Sequence, residues 1–382
     1  MAGTLGRGEW TASLTEPGGR VVWASTADSV REFSFTRRLS ETSTASLGAV
    51  ASPTAAARIE PWLHTLTFFY DDEPAWSGIV TSAAAGRGGL DVEASDASIY
   101  WKRRRVPSAR RYDQVDASHI MAQMVVDAMG VADPLRVSDG LIEYPSRVWA
   151  VVDVTANSMM LDEVIGDLVD AGLSWTVYAG RLLVGPGPER HTTATLSDKH
   201  LGDGISVVKD GRDVATDVLV VGKGVWAQAS IPNDQVGIQA IVEADSLTTV
   251  QECEQAARRE LKKRGIAPRK LQLPSGVSLS PDAPVSLSEL VPGVRIPVSS
   301  EQTGILVGSE MQLEEVDVDG GSDGVDVSVS LGAPGLTFEE REATPPPLAF
   351  DHYSPWEKEQ RDKIGRAAGE DKKDWAEPGV PM

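Results

Sequence analysis

Four aspartates fall within the ten residues Asp317-Val318-Asp319-Gly320-Gly321-Ser322-Asp323-Gly324-Val325-Asp326, a density that a divalent cation would use if the spacing matched a calcium loop. It does not match. With the first ligand at Asp317 the bidentate position falls on Ser328, and with the first at Asp319 it falls on Ser330. Between two alternating runs, the Gly-Gly-Ser-Asp-Gly stretch reads as a hairpin turn with acidic flanks. The five histidines, His64, His119, His191, His200 and His352, are scattered singles, none paired at metal-ligand spacing. Asp116, Ser118 and His119 supply the residue types of a hydrolytic triad, but neighbours on one helical turn cannot adopt the geometry of nucleophile, base and orienter. Cys253 is the single cysteine, so one chain can form neither an internal disulfide nor a cysteine-based zinc site. It lies on the stripe Leu247, Val250, Cys253, Ala257 and Leu261, where it reads as a small core residue. Gly202-Asp203-Gly204 and Gly222-Lys223-Gly224 are too short to cradle a phosphate and read as turns. Carboxylates are numerous enough that some pair will stand at glycosidase separation by chance. These residues predict no catalytic, cofactor-binding or metal site, and hence no enzyme.

The elements that would carry such residues are mostly strands. From residue 10 to about 105, short alternating runs at Arg20 to Ala24, Glu32 to Leu39, Thr65 to Tyr70, Ser77 to Thr81 and Leu90 to Ala94 are separated by Gly, Pro and Asp clusters, as in a small barrel or sandwich. The pattern changes after the basic run Lys102, Arg103, Arg104 and Arg105, with Arg110 and Arg111 close behind. That cluster reads as a solvated domain junction or as an electrostatic contact to an acidic neighbouring subunit, with nucleic acid a third possibility. Val115 to Met129 and Met160 to Ala171 have helical spacing, and Leu173 to Tyr178 and Arg181 to Val184 form two strands across a tight turn, together a compact α+β unit. Residues 193 to 335 return to alternation at 217–222, 225–230, 239–243, 285–287, 295–298, 311–318 and 324–331, with one helix over 246–264.

Thr344-Pro345-Pro346-Pro347 predicts a stiff linker. Ser354-Pro355-Trp356-Glu357 then has helix-start grammar, and a short charged helix should run to about Ala368. Trp356 and Ile364 are its only apolar anchors, so it is expected to dock on a neighbour or to remain mobile.

At 382 residues, 41% hydrophobic and 24% charged, the chain is expected to fold as several globular units. The formal net charge of −20 argues against a general nucleic-acid binder, which needs excess Lys and Arg on one face. No stretch approaches the ~20 apolar residues of a membrane span, so no membrane anchor is expected, and the start has no apolar run of signal-peptide length.

The order of these pieces resembles a known family. Arg38-Leu39-Ser40, Glu60-Pro61-Trp62, Trp76-Ser77-Gly78-Ile79-Val80, and Ser95-Asp96 before Tyr100-Trp101 resemble the first hub domain of tail hub proteins from long-tailed phages. Met160 to Val169 with Leu173-Ser174-Trp175-Thr176-Val177 looks like the domain inserted after it. Asp217-Val218-Leu219-Val220-Val221-Gly222, the helix over 246–264, and Leu279 to Val285 leading to Leu290-Val291-Pro292-Gly293 look like a second barrel. Over residues 10 to 335 the run is similar to minor tail proteins of actinobacterial phages, and no motif in it is a catalytic signature.

The resemblance implies a mainly β fold with an α+β insertion: a β-barrel hub domain over 1–106, an α+β domain over 107–190, a second β-barrel hub domain over 191–335, and a Pro-rich linker with a C-terminal helix over 336–382. It implies a structural subunit of a phage tail tip. As a homotrimer it would form a hub ring joining the sixfold tail tube to the threefold tip, around a DNA path that it does not bind specifically. Expected partners are the distal tail or tail-tube subunit, the tape measure protein and further minor tail proteins, with synthesis and assembly in the host bacterial cytoplasm and final location in the virion tail tip. Lys102, Arg103, Arg104, Arg105, Arg110, Arg111, Trp356 and Ile364 are the expected subunit-interface residues. Lytic or host-recognition activity would reside in another subunit. Two other readings are a receptor- or glycan-binding tail module using tryptophans as sugar platforms, and a β-rich cell-wall hydrolase with a dispersed carboxylate pair.

Overall fold

The structure is a computed structural model describing residues 5, 8–26, 29–86, 89–130, 133, 135–202, 206–208, 214–231, 237–264, 270–272, 276–300, 307–321, 324–332 and 334. The linker, Trp356, Ile364 and the expected C-terminal helix lie outside the described residues. The fold is mainly β, with helices concentrated in a middle α+β unit.

Seven strands open the chain: β1 (Trp10–Thr15), β2 (Val21–Ala24), β3 (Val30–Arg38), β4 (Thr44–Ala49), β5 (Thr65–Tyr70), β6 (Glu73–Gly86) and β7 (Gly89–Ser95), with a short helix α1 (Pro53–Ala56) after β4. The middle unit holds β8 (Arg110–Asp116), α2 (Ala117–Met129), α3 (Val137–Gly140), β9 (Ile142–Glu143), β10 (Trp149–Val154), α4 (Leu161–Asp170), β11 (Trp175–Tyr178) and β12 (Arg181–Val184). Then follow β13 (Leu196–Ser197), β14 (Ser206–Val208), β15 (Asp217–Val221), β16 (Trp226–Ser230), β17 (Gln239–Glu243), α5 (Val250–Arg264), β18 (Lys270–Gln272), β19 (Val277–Ser278), β20 (Arg295–Ser300), β21 (Val307–Gly321) and β22 (Gly324–Gly332).

Strands from the two ends of the chain share one twelve-stranded sheet, in the order β13-β20-β21-β3-β4-β7-β6-β5-β1-β2, with β22 beside β21 and β19 beside β22. The seam is β21 against β3, antiparallel from Glu315↔Arg38 to Gly321↔Glu32. Alternation explains the core on both sides of it: Phe33 and Phe35 of β3 and Val316 and Val318 of β21 all point inward. Phe35 stacks on Phe68 with centroids 5.6 Å apart, and Trp76 tilts against Phe68 at 6.2 Å. Each such ring contributes about 1.5–3 kcal/mol by leaving water.

The same period of two puts Arg37 inside, where it is 1% exposed. Its Nη1 donates to the carbonyls of Leu287 (2.8 Å) and Leu290 (2.9 Å), and its Nη2 to that of Ala75 (2.8 Å). This corrects the strand expected at 285–287. Val285 and Leu287 are buried, but the segment is a loop whose carbonyls are bonded by a guanidinium instead of a ladder.

In the middle unit, α4 buries Leu161, Val164, Ile165 and Leu168 at helical spacing, and its start is closed by Met160 N donating to the Glu163 carboxylate (3.2 Å). The helix expected from Val115 starts at Ala117, because the Asp116 side chain caps it through Ser118 N (3.0 Å). The helix expected from 246 starts at Val250, after Glu252 accepts from Thr248 N and Thr249 N (both 2.8 Å). One core joins α2, α4, α5, β11 and β15 through Ile120, Leu161, Cys253, Trp175 and Val218. The sheet β16-β15-β17 thus packs one face on α5.

Candidate subunit interface

The basic cluster is built on a 3-10 turn over Ala97–Arg103. The buried Asp96 carboxylate starts the turn, accepting from Ser98 N and Ser43 N at 2.8 Å each. Burial pushes this carboxyl above the usual carboxylate range despite those bonds. The turn buries Tyr100 and Trp101 and leaves Lys102, Arg103 and Arg105 exposed and Arg104 half-buried. It is stitched to the start of α4 by Val106 N donating to Met159 O (3.1 Å) and Leu161 N to Arg104 O (2.9 Å).

Rings and cations alternate across this surface. The Arg103 guanidinium stands 5.7 Å from the Trp62 ring, Trp62 is 5.9 Å from Tyr100, and Arg104 is 5.7 Å from Tyr100. Each exposed cation–π contact contributes about 0.5–1 kcal/mol. Trp62 has φ +64° and is anchored by its N–H to Val80 O at 2.7 Å. It is 40% exposed, and Leu63 beside it 42%.

Arg110 and Arg111 lie on β8 instead. Arg110 is held by Asp127 at 2.5 Å, while Arg111 is exposed on the strand opposite Asp153. The structure therefore sets Arg103 against Trp62 and Arg104 against Tyr100, with Lys102 and Arg105 exposed in the same run, and commits Arg110 to an internal ion pair. Sequence reasoning missed Trp62 and Leu63 as surface residues of this cluster; two bulky apolar residues directly after Pro61 in a turn were the available signal. Beside the cluster, a cavity of about 420 Å³ is lined by Arg38, Glu41, Lys102, Asp162 and Asp170. Trp101 and Trp175 also line it, their rings packed edge to face at 4.3 Å.

The chemistry-bearing residues are spent on structure. Cys253 is fully buried, and burial followed by the nearby Glu252 charge pushes its thiol up to about 12. Asp116 accepts from Ser118 N and Oγ, Ser146 N and Oγ, and Arg147 N. His119, on the exposed side of α2, contacts Glu143 at 3.3 Å and Gln123 at 2.7 Å. The acidic hairpin pairs β21 with β22 up to Gly321↔Gly324, its two turn residues lying outside the described set. Burial and the neighbouring Glu315 charge raise the Asp317 carboxyl. Among the described residues no group of three or more His, Cys, Asp or Glu is arranged to hold a metal, and no helix is long and apolar enough to cross a membrane. Of the eight tryptophans described, Trp62 alone is exposed, so the described surface offers a single indole rather than a row of sugar platforms.

Three solved structures match along most of the chain. A 43 kDa tail protein of prophage MuSo2 from Shewanella oneidensis aligns with 88% of this chain and 100% of its own, at TM-score 0.55 and 14% identity. A tail protein from Neisseria meningitidis MC58 aligns with 85% and 96%, at 0.56 and 12%. The fold is that of phage tail proteins. A prophage tail protein from Listeria monocytogenes EGD-e aligns with 88% of this chain and 98% of its own, at 0.54 and 13%. At these identities the likeness is one of backbone architecture. No protein-family model matches the sequence, and no curated protein matches it.

Proposed function

We propose that this chain is a non-enzymatic structural subunit of a phage tail tip, a hub-type minor tail protein of the kind found in actinobacterial phages. The observation that carries the reading is the sharing of one fold, over 85–88% of the chain, with three prophage tail proteins whose own lengths are almost wholly covered. The basic and aromatic surface around Trp62 suits a contact with an acidic neighbour.

In this reading three copies form a ring between the sixfold tail tube and the threefold tip, touching the distal tail or tail-tube subunit, the tape measure protein and further minor tail proteins. A charge of −20 per chain brings about three times that to the ring. Part of it lines the lumen, where carboxylates keep DNA phosphates off the wall within a Debye length of roughly 8 Å. The 102–105 cations face a neighbouring subunit, and Trp356 and Ile364 carry the C-terminal segment onto another chain. Imaging of isolated tails with this subunit labelled, together with quantitative mass spectrometry, tests the reading. Three copies at the tip support it; absence from tails, or one or six copies per tip, refutes it.

A further inference from the structure

The outer face of the β16-β15-β17 sheet breaks the usual rule for a sheet with one helix-covered side. Val218 and Val220 are fully buried toward α5, so the period of two turns Asp217, Leu219 and Val221 outward. Register sets Leu219 beside Ile241 on β17 and beside Gln228 on β16. A solvated outer face should be polar, yet Ile241, midway along the edge strand β17, is 69% exposed. Ile238 and Ile231, 45% and 39% exposed, flank Thr216 at one end of the sheet, Thr216 N–H donating to Ile238 O (2.8 Å) and its carbonyl accepting from Ile231 N (2.9 Å); their parity is that of the α5 side, so they border the outer face at its open end without lying on it. The rim is acidic: residues 214–231 and 237–245 carry Asp217, Glu243 and Asp245 against one cation, Lys223.

The Trp62 surface is its complement. Among the described residues nine large apolar side chains are exposed; three are these isoleucines and two are Trp62 and Leu63. Arg103 stands over Trp62 and Arg104 over Tyr100 beside it, Lys102 and Arg105 are exposed in the same run, and Glu60 is the carboxylate of the loop itself. The two surfaces are opposite in charge, and each carries uncovered apolar area: Trp62 and Leu63 on one, Ile241 with the half-buried Leu219 and Val221 on the other. On a chain of net charge −20, copies repel one another except where a basic patch meets an acidic one.

We propose that the outer face of the β16-β15-β17 sheet is the docking surface for a second copy of this chain, whose Trp62–Leu63 loop and flanking arginines seat on Ile241 and its neighbours. The contact is head to tail, so repeating it builds a ring or an open chain instead of a two-fold dimer. It deepens the proposed ring and rests on that reading for its biological setting. Its physical basis, two complementary surfaces on one chain, stands apart from it.

Analytical ultracentrifugation of the full chain tests it. The parent chain self-associates, and Ile241→Arg and Trp62→Ala each weaken association at least ~10-fold, about 1.4 kcal/mol, in chains whose cooperative thermal melts show them folded, Trp62→Ala losing only its local contacts with Arg103 and Tyr100. Mixing the two variants is the decisive arm. The Ile241→Arg chain keeps its Trp62 loop and the Trp62→Ala chain keeps its sheet face, so they form mixed pairs through one intact junction and nothing larger. A parent chain that stays monomeric at its highest soluble concentration, variants that associate like the parent, or a mixture without pairs overturns the proposal. Tail particles separate it from the functional reading. Ile241→Arg chains incorporated as well as the parent remove this interface and leave the tail assignment standing. Pairing in solution by a parent chain that tails do not contain does the reverse.

Discussion

Replacing Arg37 by Met keeps an unbranched side chain of similar length and removes a buried cation that bridges three segments: β3, the start of β6 at Ala75, and the loop at Leu287 and Leu290. Three hydrogen bonds from a charged donor, at about 2 kcal/mol each, contribute about 6 kcal/mol. Burial opposes them. Desolvation pulls the guanidinium from 12.5 down to about 10, worth roughly 3 kcal/mol at about 1.4 kcal/mol for each tenfold change in proton affinity. The net is a destabilisation of about 3 kcal/mol for Arg37→Met, with three carbonyls left without their donor. Arg37→Lys is the sharper variant. It retains the buried charge but lacks the planar fork that reaches carbonyls in two directions, so it should be no more stable than Arg37→Met. Chemical denaturation followed by tryptophan fluorescence measures both. A loss below about 1 kcal/mol for Met, or a Lys variant as stable as the parent, would refute the clamp, since mutational effects of that size need no special mechanism.

Cys253 should not react with a neutral disulfide reagent in the native state and should label only as the chain unfolds; full labelling in native buffer contradicts its burial. Gly78→Ala would place a Cβ 2.2 Å from Ser95 O and 2.6 Å from its carbonyl carbon, forcing β6 from β7. The expected cost is about 2 kcal/mol or more, and an unchanged thermal melt sinks the idea. For Asp96 the folded state binds its proton more tightly than the unfolded chain, so its contribution to stability is full below 3.8 and is lost as pH rises through the raised folded value. Across the acid range the stability difference between parent and Asp96→Asn should therefore drift against the parent with rising pH, and parallel curves would exclude the effect.

Local periodicity made much of this molecule legible. Thr65–Tyr70, Arg181–Val184 and Gln239–Glu243 coincide with expected strands, and the apolar stripes of α2 and α4 located both helices. Strand β4 was not read, because Thr44 to Ala49 contains small residues with little contrast between its faces. Nor was the pairing of β21 with β3, since no local signal specifies a partner 277 residues away. The run at Val285 and Leu287 shows the converse: burial alternates there, but the backbone partner is a side chain from β3. Of the expected interface, the cations were visible as a charge run in an acidic chain. The exposure of Trp62 and Ile241 was not, because the same apolar residues in a strand or turn fit equally well on the core side.

The seam between β3 and β21 also sets a timetable. At translation rates of about 5–20 residues per second, the β21 residues that cover β3 are made on the order of tens of seconds after it. During that interval β3 presents a bare ladder edge, the kind of surface that invites pairing with another nascent chain. Its exposed and half-buried positions hold Arg31, Glu32 and Arg38, charges that oppose such mispairing. Arg38 later becomes the ion partner of Glu315 across the finished seam, at 2.5 Å. The guard of the incomplete edge is thus built into the bond that closes it.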